Sequence, residues 1–198
     1  MQMIDRANTI SLWVATQIVT QEKITQRIKY LTHFIGIAEK CGELNNFNAL
    51  FSIIAAGLSA GCVTRLKKTW AGLPPRSKET HKSLVELVTN DGNYKNYRAK
   101  LSTVVEEPCI PFLGIYLTDL TFIEEGNLDF VKGTNPPHIN FTKRRIYANT
   151  ISQILCYQKH DYSFHYVLPL GKLIDQIELP YNENDLFELS VLNEPKDL

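Results

Sequence analysis

The chain has 198 residues, 44% of them apolar, with 21 basic and 21 acidic side chains and a formal net charge of zero. A chain of this length buries about 70% of its unfolded surface as one domain and needs no disulfide or metal staple. Balanced charge excludes a global field that recruits nucleic acid or an anionic membrane, which leaves a folded protein or a small molecule as the expected partner.

Residues at Ile4, Ala7, Ile10 or Ser11, Val14 and Ile18 fall on one face of a first helix. Its stripe begins without a capping residue before it, which suggests a start inside a larger fold. Ile28, Leu31, Ile35 and Ala38 repeat the geometry from Ile24 onward, with Phe34 and Ile37 widening the stripe. Asn45 or Asn46 is placed to cap a third helix carrying Phe47, Leu50, Ile54 and Leu58. Residues 59–75 read as a connection with one short helical turn, stopped by Gly72, Pro74 and Pro75. A fourth helix is expected over 76–88. Asn90, Asp91, Gly92 and Asn93 break the chain before a fifth, with Tyr94, Tyr97, Leu101 and Val104, ended by Glu107-Pro108.

In IPFLGIYLTDLTFIEEGN a period of three to four predicts a helix ending at Gly126, with Leu113, Leu117, Leu120 and Ile123 or Glu124 on its inner face. After a loop over 127–139, the next helix is expected to bury Ile146, Thr150, Ile154 and Tyr157, beside Ile151 and Leu155. Two shorter helices, near 170–179 and 183–192, are separated by Pro180. The fold class is therefore all-α, one helical bundle over residues 1–198.

Signals for covalent chemistry are sparse. Cys41, Cys62, Cys109 and Cys156 form no Cys-x-x-Cys pair, and His33, His81, His138, His160 and His165 show no ligand spacing, so no metal and no cofactor is expected. There is no phosphate-binding glycine loop and no nucleophile elbow. A basic region followed by an apolar run is missing from the start, so a reducing, cytoplasmic setting is expected. Asn140 fits a glycosylation pattern but reads as a helix cap or an unused surface residue.

One helix end is anomalous. Glu124 and Glu125 sit in the last turn before Gly126, although a carboxylate there loses roughly 0.3–1 kcal/mol against the helix dipole. Thr118, Phe122 and Glu125 stack at i, i+4 and i+7 on the face opposite the leucines, a hydroxyl, an aromatic and an acid. Phe122 packs on a neighbouring helix or forms part of a protruding edge that enters a partner. Lys143, Arg144 and Arg145 open the following helix, where they face solvent or pair with Glu124 or Asp119.

The strings SLWVATQIV, RIKYLTHFIGIAEKCGELNNFNAL, RLKKTW with Trp70, NYKNYR, PCIPFLGIYLTDLTFIEEGN, INFTKRR and DLFELSVLNEP follow one another over nearly the whole chain. In that order and spacing they resemble the catalytic domain of Ras-family guanine-nucleotide exchange factors, the Cdc25-homology domain. The resemblance implies a bundle with a projecting helical hairpin over 115–158 and, as partner, a Ras-like small GTPase of the Ras, Rap or Ral type. No bond-making chemistry is implied, no nucleic acid, and membrane proximity only through a lipidated GTPase. By resemblance, the hairpin displaces the first switch segment of the GTPase: Glu125 approaches the nucleotide site, Thr118 and Phe122 share its edge, Thr121 crowds the magnesium position, and Asn127 contacts the switch.

The resemblance also implies an apolar pocket for the second switch from Ile4, Phe51, Tyr94 and Phe112, with Asn45 and Asn46 orienting the helix that carries Phe51. Lys143 and Arg144 belong to the matching INFTKRR motif. Two departures stand out. NNFNALFSIIAAGLS carries one residue more than the family pattern, near Ala55 and Ala56, which demands a π-bulge or a register shift. Ser59 stands where a partner-contacting Asn is common. The family's first helices have no counterpart here, so the first helix is expected to expose an apolar face and the isolated chain to be marginally stable. The alternative function is an exchange-incompetent binding or scaffold module that holds a GTPase, or another subunit, without opening it.

Overall fold

The computed structural model describes residues 2–104 and 106–195. The bundle is built on α1 (Gln2–Val19) and α2 (Ile24–Glu43), both packed against a third helical segment that begins at Phe47. Val14, Ile18, Leu31, Ile35, Phe47, Leu50, Ile54 and Leu58 are each at most 1% exposed, so the stripes read from the sequence are the core. Each such side chain contributes about 1.5–3 kcal/mol of apolar burial.

That third segment changes hand-fit partway. It is α-helical over α3 (Phe47–Phe51) and continues as a π-helix over Ser52–Leu58. The extra residue in AAGLS is thus absorbed as a wider turn rather than as a slip of the inner face. Gly57 is where this turn meets α1: a Cβ there would lie 3.0 Å from the Val14 Cβ and 3.2 Å from the Ser11 carbonyl oxygen. The inner side is too close to α1 to bulge, and Ala55 and Ala56 face solvent.

The connection expected to hold one helical turn holds two, α4 (Gly61–Thr64) and α5 (Lys67–Ala71). After α6 (Pro75–Val88) comes α7 (Asp91–Leu101), which opens on three consecutive left-handed residues, Gly92, Asn93 and Tyr94, with φ of 57°, 59° and 58°. The expected fifth helix is therefore shorter than its apolar pattern. Val104 is buried, but from the irregular chain after Leu101.

Two helices form the projecting hairpin, α8 (Leu113–Gly126) and α9 (Phe141–Cys156). Lys143 at the start of α9 meets Glu124 at the end of α8, so the pair runs antiparallel. Here the expected buried stripes fail. On α8 the buried residues are Ile115 and Tyr116, while Leu117 is exposed; on α9 Ile154 and Tyr157 reach the core, while Ile146, Ile151 and Leu155 are exposed. Only the base of the hairpin touches the bundle, so apolar period alone does not report burial beyond it. From 117 to 185 one residue is buried, and it is Lys143.

The C-terminal stretch returns to the bundle through α10 (Leu168–Asp175) and α11 (Glu183–Asn193). Asn182 and Asp185 form a reciprocal capping box at the start of α11. Beyond its end, the Glu194 carboxylate accepts hydrogen bonds from the Lys68 N–H (2.9 Å), the Thr69 N–H (3.0 Å) and the Thr69 hydroxyl (2.7 Å), capping α5 from another part of the chain. Buried Arg27 stands 3.6 Å away. No strand is present among the described residues, and no helix there is long and apolar enough to cross a membrane.

Candidate functional site

The LNNF quartet sets the first half of the site. Asn46 caps α3, its side-chain oxygen accepting from the Ala49 N–H at 3.0 Å, while Asn45 adopts a left-handed φ of 56°. Asn45 donates from its amide to Glu107 (2.9 Å) and to the Pro108 carbonyl (3.3 Å), and its own carbonyl accepts from Ile110 N–H at 3.0 Å. Asn48 N–H then donates to the Ile110 carbonyl at 3.2 Å. The turn therefore fixes both α3 and the segment that delivers Phe112.

The consequence is an aromatic cluster. Phe51 and Phe112 stack at 4.1 Å with 8° between planes, and Tyr94 leans on Phe51 at 6.0 Å. Tyr97 lies beneath, edge-on to Phe51 at 5.1 Å, its hydroxyl accepting the Phe112 N–H at 2.9 Å. Burial pushes the Tyr97 phenol far above its usual range, so it stays a neutral acceptor. Phe51, Tyr94 and Phe112 line a groove of about 440 Å³, walled by Ala7, Asn8 and Ser11 of α1 and by Ala55 and Ala56 of the π-helix. Ile4 is exposed one turn further along α1 and does not line it. Ser59 is exposed at the end of the π-helix, its hydroxyl turned back to the Ile54 carbonyl at 2.9 Å.

The second half is the outer edge of α8. Phe122 is 68% exposed, and Thr118, Thr121 and Glu125 are exposed with it. Both threonine hydroxyls donate to the carbonyls four residues earlier, Gly114 at 2.9 Å and Leu117 at 3.0 Å. Asn127 is half-buried at the helix end and donates to the Ile123 carbonyl at 3.0 Å. The two acids separate. Glu124 pairs with Lys143 at 3.0 Å, the intramolecular partner expected for the basic run, whereas Glu125 makes no ion pair among the described residues. Lys143 also reaches Asp129 at 3.0 Å, and Arg144 meets the same carboxylate at 2.6 Å. Asn140 caps α9 through the Lys143 N–H at 3.2 Å, the cap reading of that residue.

Asp119 finds a different partner from the basic run: Arg98 of α7, at 2.8 Å. Nothing in the sequence marks that pair beyond the two residue types. The wall residues Ala7, Asn8, Ala55 and Ala56 were likewise not singled out as a lining; the extra residue at Ala55 and Ala56 was their one pointer. Trp70 lies apart from both halves, donating from its indole to the Val63 carbonyl at 3.0 Å and packing on His81 at 4.7 Å. Burial pushes the Cys109 thiol up to about 11 and raises Cys41 and Cys62, which disfavours a thiolate at each. No cluster with metal-ligand composition occurs among the described residues.

The chain is thus a helical domain with an exposed aromatic and acidic edge on a projecting hairpin and a separate aromatic groove in the bundle. The RasGEF domain profile matches residues 1–145, and the chain belongs to that family. It is 40% identical to Ras guanine nucleotide exchange factor R of Dictyostelium discoideum over 99% of this chain and 11% of that protein. Exchange factor Y of the same organism is 43% identical over 98% of this chain and 12% of its own length, and factor A is 37% identical over 99% and 34%. The chain thus spans about a tenth to a third of the length of these curated relatives.

Proposed function

We propose that this chain is a guanine-nucleotide exchange domain acting on a Ras-like small GTPase of the Ras, Rap or Ral type. Family membership supports the class. The observation that carries the reading is the exposure of Phe122 and Glu125 on an arm that, beyond its base at Ile115 and Tyr116, buries only Lys143. The groove of Phe51, Tyr94 and Phe112 receives an aromatic side chain of the second switch, with Ile4 and Ser59 further out on the contact surface. Such a central aromatic cluster has the composition of an interface hot spot. Thr118, Thr121, Phe122, Glu125 and Asn127 meet the first switch and the nucleotide site.

No bond is made or broken by the chain. It binds the nucleotide-free GTPase more tightly than the GDP-loaded one, and each tenfold in release rate corresponds to about 1.4 kcal/mol of that difference. Glu125 offers a carboxylate to cationic groups that otherwise hold phosphate and repels the departing nucleotide. The domain works in the cytoplasm at the inner face of membranes, reached through the lipid anchor of its partner.

Release of a fluorescent GDP analogue from a panel of Ras, Rap and Ral proteins tests this. Acceleration of at least about tenfold on one member is expected. A second reading is favoured by the short Ser59 side chain and the widened π-helical wall: a module that holds a GTPase without opening it. Stable binding with unchanged GDP release would select that reading.

A further inference from the structure

The exchange reading requires two separate surfaces to act together, the aromatic groove and the α8 edge, and one side chain physically joins them. Arg98 donates from Nε to the Asn93 carbonyl at 2.9 Å and from Nη2 to the Asn93 side-chain oxygen at 3.3 Å. The same Nη2 reaches both oxygens of Asp119, at 3.0 and 2.8 Å. The Asn93 carbonyl belongs to the peptide bond that enters Tyr94, one of the groove rings. Asp119 lies on α8 next to Thr118 and less than one turn before Phe122. One guanidinium fork therefore holds the peptide behind Tyr94 and the helix that carries Phe122.

The Asn93 end of this link is conformationally unfavourable. Gly92, Asn93 and Tyr94 are left-handed in succession, a backbone that glycine tolerates, that asparagine adopts at some cost, and that an aromatic residue rarely adopts. Return of this turn to right-handed helix would move the Tyr94 ring and withdraw the carbonyl that Arg98 holds. A cavity of about 340 Å³ lies at the base of the hairpin between Arg98, Leu101, Tyr116, Gln153 and Tyr157, so α8 has space to shift there. The other hairpin helix is tied to the same α7, Tyr157 donating to the Leu101 carbonyl at 3.3 Å.

Resting on the exchange reading, we infer that Arg98 is a positioning residue that couples the Tyr94 turn at the groove to the setting of α8, so that filling the groove aligns the Phe122 and Glu125 edge. The pair is partly shielded, with Arg98 and Asp119 side chains 33% and 25% exposed, and Nη2 lies between both carboxylate oxygens while Nε holds the Asn93 carbonyl. In this coupling the left-handed turn is the element that would change arrangement, contacted from the groove through Tyr94 and from the hairpin through Arg98.

Arg98→Met keeps the stem and loses the fork; Asp119→Asn keeps an acceptor oxygen and loses the charge. The first measurement needs no GTPase: amide hydrogen exchange over 113–126 in each full chain, with 24–43 as internal reference. Both variants are expected to speed exchange over 113–126 by about tenfold and leave 24–43 unchanged. The second is GDP release at varied exchange-factor concentration, where kcat is expected to fall about tenfold with KM within about twofold. Unchanged protection over 113–126, or equal loss over 24–43, overturns the brace; unchanged kcat in an active background overturns the coupling. If the unaltered chain releases GDP from no Ras-like GTPase, the exchange reading falls and with it the coupling, while amide exchange still decides whether Arg98 braces α8.

Discussion

The ring of Phe112 lies flat on that of Phe51, 4.1 Å between centroids and 8° between planes, although the two arrive from different elements. Both are placed by one turn. Asn46 caps the helix of Phe51, and Asn45 ties that turn to the Glu107–Ile110 stretch ahead of Phe112.

That relationship predicts different outcomes at the two asparagines. Asn46→Ala removes a side-chain cap and is expected to lower stability by about 1 kcal/mol in urea unfolding. Asn45→Ala loses the bonds to Glu107 and Pro108 and also places a Cβ-bearing residue without a local hydrogen bond at φ 56°, so it should cost more than Asn46→Ala. Asn45→Gly, which accepts that φ, should recover part of the loss. Equal stability of the Ala and Gly variants would show that backbone hand is not what Asn45 contributes.

The π-helical turn is the second test. Deleting Ala55 should restore an α-helical register over 52–58 without disturbing Gly57 against Val14, leaving a folded chain whose groove wall has receded. The expected readout is a change of roughly tenfold in relative exchange among Ras, Rap and Ral, the scale set by one methylene of pocket shape. An unfolded deletion variant would instead make the extra residue a packing requirement.

Glu194 predicts an acid-sensitive C-terminus. Burial raises its carboxyl pKa, but hydrogen bonds from the Thr69 hydroxyl and the Lys68 and Thr69 N–H groups, together with the Arg27 charge, hold it below its ordinary value of 4.5. A carboxyl depressed in the fold binds protons more readily when unfolded, so its contribution is present above pH 4.5 and is lost as pH falls through the folded value. Melting of the chain should fall with pH below about 4.5, and Glu194→Gln should be less stable at neutral pH with a shallower acid decline. Parallel pH curves for the two proteins would count against this role.

Lys143 is the interior of the hairpin tip, 1% exposed between Glu124 and Asp129. Lys143→Ala leaves both carboxylates without their shared cation, and limited proteolysis is expected to cut within 127–139 sooner than in the unaltered chain. Cleavage at an unchanged rate would mean that the loop is held by other contacts.

Much of the bundle was legible because its helices bury a full stripe: Val14 and Ile18 of α1 and Leu31 and Ile35 of α2 are core residues at helical spacing. The hairpin misled the same reasoning. Leu117, Ile146 and Leu155 keep an apolar period yet lie exposed, because a projecting arm has no bundle opposite them. The left-handed opening of α7 was half visible, since Gly92 and Asn93 signal a break but nothing marks Tyr94 as its third member. At the site, the ordered motifs pointed to Phe51, Tyr94 and Phe112 as neighbours, and the structure brings these three together while Ile4 stays outside the groove lining. The Arg98–Asp119 pair was hidden because it depends on how α7 and α8 cross, which periodicity does not encode.

The exposed edge of α8 is proposed as the lever of nucleotide exchange. GDP release is therefore measured with the unaltered chain, Phe122→Ala and Glu125→Ala. Both positions are exposed, so each variant should melt within about 0.5 kcal/mol of the parent while release on the responsive GTPase drops by at least about tenfold. Undiminished release by both variants at matched stability would show that the α8 edge is not the lever.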